Sequence, residues 1–361
     1  MSLKKITGKL KSPFAFFVYK KLLFLFVAIF ISMTFTFILP RLMPSSPVDI
    51  MIGKIAGGEA SSIGQTTQTG SGIGASRLDV LRAIYMEKFG INQPLIVQYF
   101  DFWKRFFTMD FGLSYWRYPT PVSDLIMEAL PWTLVLVIPV VPIGFFVGNW
   151  IGSRAAYHRG KVDKALYYVL MYLSQAPYYW FALIFMLVFG VKLGWFPIFG
   201  AYDIDRWLYP VLTPDWILDA AWHYALPFLS LVGLGIGSTG VGMRAMTLYE
   251  MESDYIQYSK QLGFKKSKLR KYSERNAILP NFTWLPVVLS SLVGQTLLVE
   301  YVFGYPGLGN LAFQAVFNMD YPLIEATFIS AVGIVLVGNF ICDILYGILD
   351  PRIGSSYVGG K

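Results

Sequence analysis

The chain holds a single cysteine, Cys342, among 361 residues. Neither a disulfide nor a thiolate metal site can be built from it within one chain. Histidine is nearly as scarce: His158 and His223 are too few and too far apart for a zinc site. Charge is thin too, with 14% of residues charged against 55% hydrophobic, which excludes the composition of a soluble globular domain. No G-x-x-x-x-G-K-[ST] occurs anywhere, so ATP has no P-loop here and any ATP-driven work falls to a partner. No repeat with a period of roughly 20 to 50 residues is visible, which argues against a solenoid. Carboxylates at membrane depth are limited to Glu300 and Asp343. Both lie toward span ends, where local pairing or reach to the interface accounts for them, so a membrane enzyme is disfavoured.

What the chain has instead is long apolar runs. Crossing a hydrocarbon core of roughly 30 Å takes about 20 helical residues, and six runs suffice: Leu22–Leu39, Trp132–Trp150, Ala165–Val191, Tyr224–Met243, Phe282–Val302 and Ala326–Leu349. An all-α integral membrane protein with six transmembrane helices is expected. Lysines precede the first run and no small-residue cleavage site follows it, so it reads as an uncleaved anchor. With the N-terminus inside, 20 of the 30 Lys and Arg residues fall on the cytoplasmic side, which makes both termini cytoplasmic. The net charge of +8 then reflects topology, and no nucleic-acid partner is needed. The expected organisation is a cytoplasmic arm (1–21), a first helix (22–39), an extracellular segment (40–131), a five-helix core (132–349) with a cytoplasmic loop (244–280), and a cytoplasmic tail (350–361).

The extracellular segment contains a Gly-, Ser- and Thr-rich stretch, Gly57–Ser76, with too little apolar surface to fold alone. Leu78–Phe89 and Leu95–Phe107 read as amphipathic helices of a small extracellular cap over the outer ends of the spans. Gly144, Gly148 and Gly152 recur every four residues and form a stripe that permits close helix approach, within the chain or to a second membrane subunit. Gly235, Gly237 and Gly240 match the dinucleotide pattern, but without a preceding strand they point to a kink or close helix contact. Pro177 should break the third span near its middle, a feature that either lines a pathway or is structural. Aromatics gather in the outer segments (Trp103, Tyr115, Trp116, Tyr118, Tyr202, Trp207, Tyr209, Trp216, Trp222), as an interfacial belt or as contacts for a carrier protein or a stacking substrate.

Between two strongly apolar segments lies the basic stretch DYIQYSKQLGFKKSKLRKYSERNAILP, Asp254–Pro280. Asp254 suits the N-terminus of a short helix, Lys260 its C-terminus, and Gly263 an αL cap. Tyr255, Tyr258, Ser259 and Leu262 share one face. Ser267 is placed to cap a second helix carrying Arg270 and Glu274 at i, i+4 and running to Leu279, with Pro280 opening the fifth span. A two-turn helix is not stable alone in water, so it needs a partner groove.

DYIQYSKQLGF followed by RNAILP resembles the EAA loop of permease subunits of ATP-binding-cassette importers, in the form typical of the oligopeptide and dipeptide class. The resemblance continues through FGLSYWRYPTPV, LPWTLVL, VFGYPGLGNL, DYPLIEA and DILYGILDPRIG. Ser259 stands at the usual small alanine and Asp254 at the glutamate that names the loop. The Gly57–Ser76 and Ala201–Trp222 segments are longer than expected. The resemblance implies a type I importer permease fold in a prokaryotic cell membrane, paired with a homologous second permease, two ATPase subunits and an extracellular substrate-binding protein. ATP and magnesium would sit on the ATPases, with no cofactor and no catalytic residue on this chain. It makes Asp254, Tyr255, Ile256, Tyr258, Ser259, Leu262, Gly263 and Phe264 the coupling helix that seats in an ATPase, and Arg275, Asn276, Leu279 and Pro280 the continuation of that loop.

The substrate is expected to be a short oligomer. Peptide termini call for charged pathway residues, whereas sugars stack on aromatic rings, so scarce membrane-depth charge and abundant outer aromatics tilt the reading toward an oligosaccharide, with an oligopeptide as the alternative. A nickel path is disfavoured by two His and one Cys. A secondary transporter is the competing class.

Overall fold

The structure, a computed structural model, describes residues 13–42, 80, 83–84, 86–87, 92–157 and 160–349. The Gly57–Ser76 insert, most of Leu78–Phe89, His158, most of the N-terminal arm and the tail 350–361 lie outside them. The described residues are helical, with Leu113 and Pro121 forming the single β-bridge among them. Among the described residues five helices are long and apolar enough to cross a bilayer, or six if a pair bent by 103° is taken as one span.

Two compact units divide the chain: Phe30–Leu130 with Asn310–Ser330, and the remainder. Helix α1 (Pro13–Arg41) enters the smaller unit at Phe30 and there buries Met33, Thr36, Phe37 and Pro40, an i, i+3, i+4, i+7 stripe on a largely apolar helix. Helix α2 (Leu95–Thr108) packs its Tyr99 and Phe102 rings on Phe37 at 5.1 and 5.5 Å. Arg41 ends α1 by pairing with Glu325 at 2.6 Å and reaching Gln98.

In the larger unit, α3 (Val122–Tyr157) exposes one side and buries Leu136, Val137, Val140 and Phe145 on the other. Helix α4 (Lys161–Gln175) stops where Ala176 turns extended, ψ 141°, ahead of Pro177. The pyrrolidine ring disfavours α geometry in the residue before it, so the expected break of the third span is realised. Helix α5 (Tyr178–Phe185) continues into a π-helical turn, Met186–Lys192. Helix α6 (Pro214–Met251) is 38 residues long and opens on Thr213, whose hydroxyl accepts the Trp216 N–H. Then come α7 (Asp254–Gln261), α8 (Lys266–Thr283) and α9 (Leu285–Val302), followed by α10 (Leu308–Phe317) and α11 (Tyr321–Leu349), of which Asn310–Phe317 and Tyr321–Ser330 belong to the smaller unit.

Two sequence expectations change here. Helix α8 is entered from an extended Lys265, φ −57° and ψ 140°, so Ser267 lies inside the first turn and caps nothing. Its end is also later than expected: Pro280 sits within α8, and the new helix starts at Leu285, where Pro286 occupies the first turn and has no N–H to offer in any case. The fifth span therefore begins at Leu285, not Phe282.

Candidate functional site

Helix α7 is an eight-residue element standing between two long helices, and each end is closed by its own sequence. At the start, the Ser253 hydroxyl donates to Glu250 O, and Asp254 supplies the acidic first-turn residue that the helix dipole favours. At the end, Gly263 takes φ +76°, its N–H bonds Lys260 O at 3.0 Å, and Phe264 N–H bonds Ser259 O at 3.2 Å. That pair of bonds is a Schellman motif. A Cβ on Gly263 would meet nothing within 4 Å, so backbone conformation alone requires glycine there.

Tyr255, Tyr258 and Leu262, which the spacing puts on one face of α7, are exposed together. Ile256 is 4% exposed while Tyr258 and Leu262 are 63% and 56% exposed. Ile256 therefore seats α7 on its own chain and does not belong to the outward face. Tyr255 is half outward: its ring is partly exposed, its hydroxyl donates to Glu250 Oε2 at 2.6 Å, and Asn276 Nδ2 donates to that hydroxyl at 2.9 Å. Burial, then the Glu250 hydrogen bond, push the phenol above its usual range. Ser259 bonds back to Tyr255 O. Beyond the turn, Lys268 lies over the Phe264 ring at 4.4 Å, and Lys265, Lys266, Lys271, Arg275 and Pro280 are exposed, with Leu279 half-buried. Arg270 and Glu274 pair at 3.1 Å, as their spacing implies.

The helices flanking α7 are tied to one another by polar contacts that sequence reading missed. Buried Asn281 of α8 donates its Nδ2 to Asn149 Oδ1 of α3 and, at 3.2 Å, to Thr239 O of α6. Thr239 Oγ1 donates to Gly144 O at 2.8 Å. Arg244 of α6 makes a forked pair with buried Asp163 of α4, at 2.7 and 2.8 Å, and its guanidinium stands over Tyr167. A polar side chain inside an apolar span is the signal that marks Asn149 and Thr239 in the sequence, whereas Asn281 stands ahead of the fifth span and carries no such signal.

Glycines make these approaches possible. A Cβ on Gly148 would overlap Thr239 Oγ1, one on Gly152 would overlap Gly240 O, and one on Gly144 would press on Gly235 at 3.1 Å. Gly144, Gly148 and Gly152 thus face α6 of the same chain. Gly237 is equally closed in by Leu173 and Ser174 of α4, which accounts for the glycine-rich run of α6 as packing.

Two further motifs are stabilised from within. In VFGYPGLGNL, fully buried Glu300 accepts the Gly309 N–H at 2.6 Å, Thr133 Oγ1 accepts the Leu308 N–H at 2.8 Å, and a Cβ on Gly307 would overlap the Glu300 carboxylate. In DYPLIEA, buried Asp320 precedes α11 and accepts from Leu323 N–H, from Trp116 N–H at 3.0 Å and from the Ser114 hydroxyl. The outer aromatics also pack on one another: Trp132 lies 6.0, 6.2 and 5.7 Å from the rings of Tyr202, Trp216 and Tyr305.

Residues 125–355 match the family described as "Binding-protein-dependent transport system inner membrane component". The chain belongs to that family. This permease is 35% identical over 274 residues to the oligopeptide transport system permease protein AppB of Bacillus subtilis, covering 75% of the chain and 84% of AppB. It is 28% identical to the oligopeptide transport system permease protein OppB of Haemophilus influenzae over 93% of the chain and 98% of OppB. At the same 28% it matches the metal-staphylopine import system permease protein CntB of Staphylococcus aureus, over 74% of the chain and 80% of CntB. The permease is thus an ATP-binding-cassette importer subunit of the peptide class, built as an all-helical membrane protein.

Proposed function

We propose that this permease passes short peptides through the membrane, received from an extracellular binding protein and driven by ATPases that seat α7. The observation that carries the coupling reading is the division of α7 into a buried Ile256 and an outward Tyr258 and Leu262. An apolar outward face on a helix too short to persist alone calls for a groove on another protein. Asn281 and Thr239 join α8 to α6, so a displacement of α7 moves both flanking helices as a unit. The Lys and Arg distribution supports placing α7 and both termini in the cytoplasm. A homologous second permease and two ATPases complete the assembly by family analogy. ATP and magnesium would be bound on those ATPases and not on this chain.

For the cargo, the oligopeptide names of AppB and OppB support peptides over the oligosaccharide that composition favoured. Tyr202 and Trp216, two of the aromatics behind the sugar reading, are engaged with Trp132 and with each other. The test is the assembled complex in vesicles, with Tyr258→Asp and Leu262→Asp combined. Burying two unpaired charges in a groove costs several kcal/mol, so the binding protein should no longer stimulate ATP hydrolysis, and the ATPases should co-purify poorly. Unchanged stimulation would overturn the docking face. Competition by peptides, and none by glycans, in binding to the partner binding protein tests the cargo.

A further inference from the structure

Helix α2 presents three faces, and among the described residues only two have an occupant. Its Tyr99 and Phe102 pack on α1, with Tyr99 Oη also 2.8 Å from Thr34 Oγ1. Asp101, Lys104, Arg105 and Thr108, spaced i, i+3, i+4, i+7, make a polar arc, and Arg105 lies beside Gly112 of the following loop. The remaining arc is Ile96, Phe100, Trp103 and Phe107, spaced i, i+4, i+7, i+11; Ile96, Phe100 and Phe107 are 62%, 66% and 73% exposed.

The level at which α2 sits follows from α1. Lys21 and Arg41 bracket 19 uncharged residues, about 28 Å of helix at 1.5 Å per residue, which matches the hydrocarbon thickness. Phe30 lies near the middle of that stretch and is itself exposed. Trp103 stacks on Phe30 at 5.6 Å, and Phe107 stacks on Trp103 at 5.9 Å. The three rings form one column that joins the open arc of α2 to the apolar outer surface of α1. Gln98, bonded to Arg41, marks the other end of the contact, at the edge of the bilayer.

We propose that α2 is lodged in the membrane leaflet at the Arg41 end of α1, with Ile96, Phe100, Trp103 and Phe107 covered by lipid acyl chains. An aqueous cap would leave this contiguous apolar arc in water, which soluble surfaces avoid; a lipid-covered arc beside a polar one is the pattern of a helix held in the interfacial region. Helix α2 then widens the lipid-facing perimeter of the first span and does not roof it.

The test uses the full chain in lipid vesicles, with Cys342→Ala as background and single spin-labelled cysteines at Phe100, Phe107, Lys104 and Thr108, plus Phe35 on the exposed face of α1 as reference. Oxygen should relax the labels at Phe100 and Phe107 more than a water-soluble nickel chelate does, as at Phe35, and the ratio should invert at Lys104 and Thr108. Chelate-dominated relaxation at Phe100 and Phe107 would place the arc in water. Labels there closed to both agents would place it against another protein. Either result overturns the proposal.

Discussion

Replacing Asn281 by leucine changes polarity at nearly constant volume at the point where α8 meets α3 and α6. The substitution removes both bonds from Asn281 Nδ2. It also strands Asn149, whose Nδ2 already has no partner. Hydrogen bonds between membrane helices are worth about 0.6 kcal/mol on average and about 1.7 at most in double-mutant cycles. Leaving a buried polar group unpaired costs about 1–3 kcal/mol. Asn281→Leu should therefore destabilise the chain by about 1–3 kcal/mol, Asn149→Leu by a similar amount, and the pair together by less than the sum, short by about 0.6–1.7 kcal/mol. Unfolding of the purified permease by denaturing detergent, followed by circular dichroism, measures all four corners of the cycle. Because Asn281 also bonds Thr239 O and so joins the helices flanking α7, Asn281→Leu should also lower binding-protein stimulation of ATP hydrolysis more than basal hydrolysis. Effects additive within about 0.3 kcal/mol would show that the two amides are not coupled, and the argument that α8 and its neighbours move as a unit would lose its support.

Gly263→Ala should weaken ATPase co-purification through a backbone cost of about 1–2 kcal/mol, with Gly263→Asn affected less, since asparagine tolerates αL; equal loss in both would point to a side-chain contact instead. Gly148→Leu should lower the melting temperature of the purified chain sharply, through overpacking of about 1–3 kcal/mol or more, while Gly294→Leu, at a site with nothing within 4 Å of a Cβ, should leave it in place. Arg244→Ala should lower the melting temperature by removing the forked pair from buried Asp163. Arg244→Lys should recover only part of that in the same melting assay, because an ammonium cannot reproduce the fork.

Features governed by one residue's backbone were legible in the sequence: the break before Pro177, the αL turn at Gly263, the Arg270–Glu274 pair. So were the spans, because length and apolarity suffice to identify them. Contacts across the fold were not. Asn281 meets partners 42 and 132 positions away, and no periodicity encodes such a pairing. The inward side of α7 was read from no residue: the spacing of Tyr255, Tyr258 and Leu262 marks the outward face, while a single buried Ile256 decides which side lies on the chain. Ser267 misled because a hydroxyl near a helix start matters only at the residue before the first turn, and the extended Lys265 takes that place. The outer aromatics read either as an interfacial belt or as contacts for a carrier protein or a stacking substrate, whereas Tyr202 and Trp216 close on Trp132.

Helix α6 has a mechanical consequence. At 38 residues and 1.5 Å per residue it is about 57 Å long, nearly twice the hydrocarbon thickness. One end carries Trp216, in the aromatic cluster with Trp132 and Tyr202, and the other runs into the turn before α7. A rigid helix of that length would pivot about its glycine-bearing middle, where Gly235 and Gly240 lie against Gly144 and Gly148. A tilt of about 5° about that point would move each end by about 2.5 Å in opposite directions. A shift of α7 by that distance would then reach the Trp216 end, and a grip on the aromatic end would push back on α7 with the same leverage.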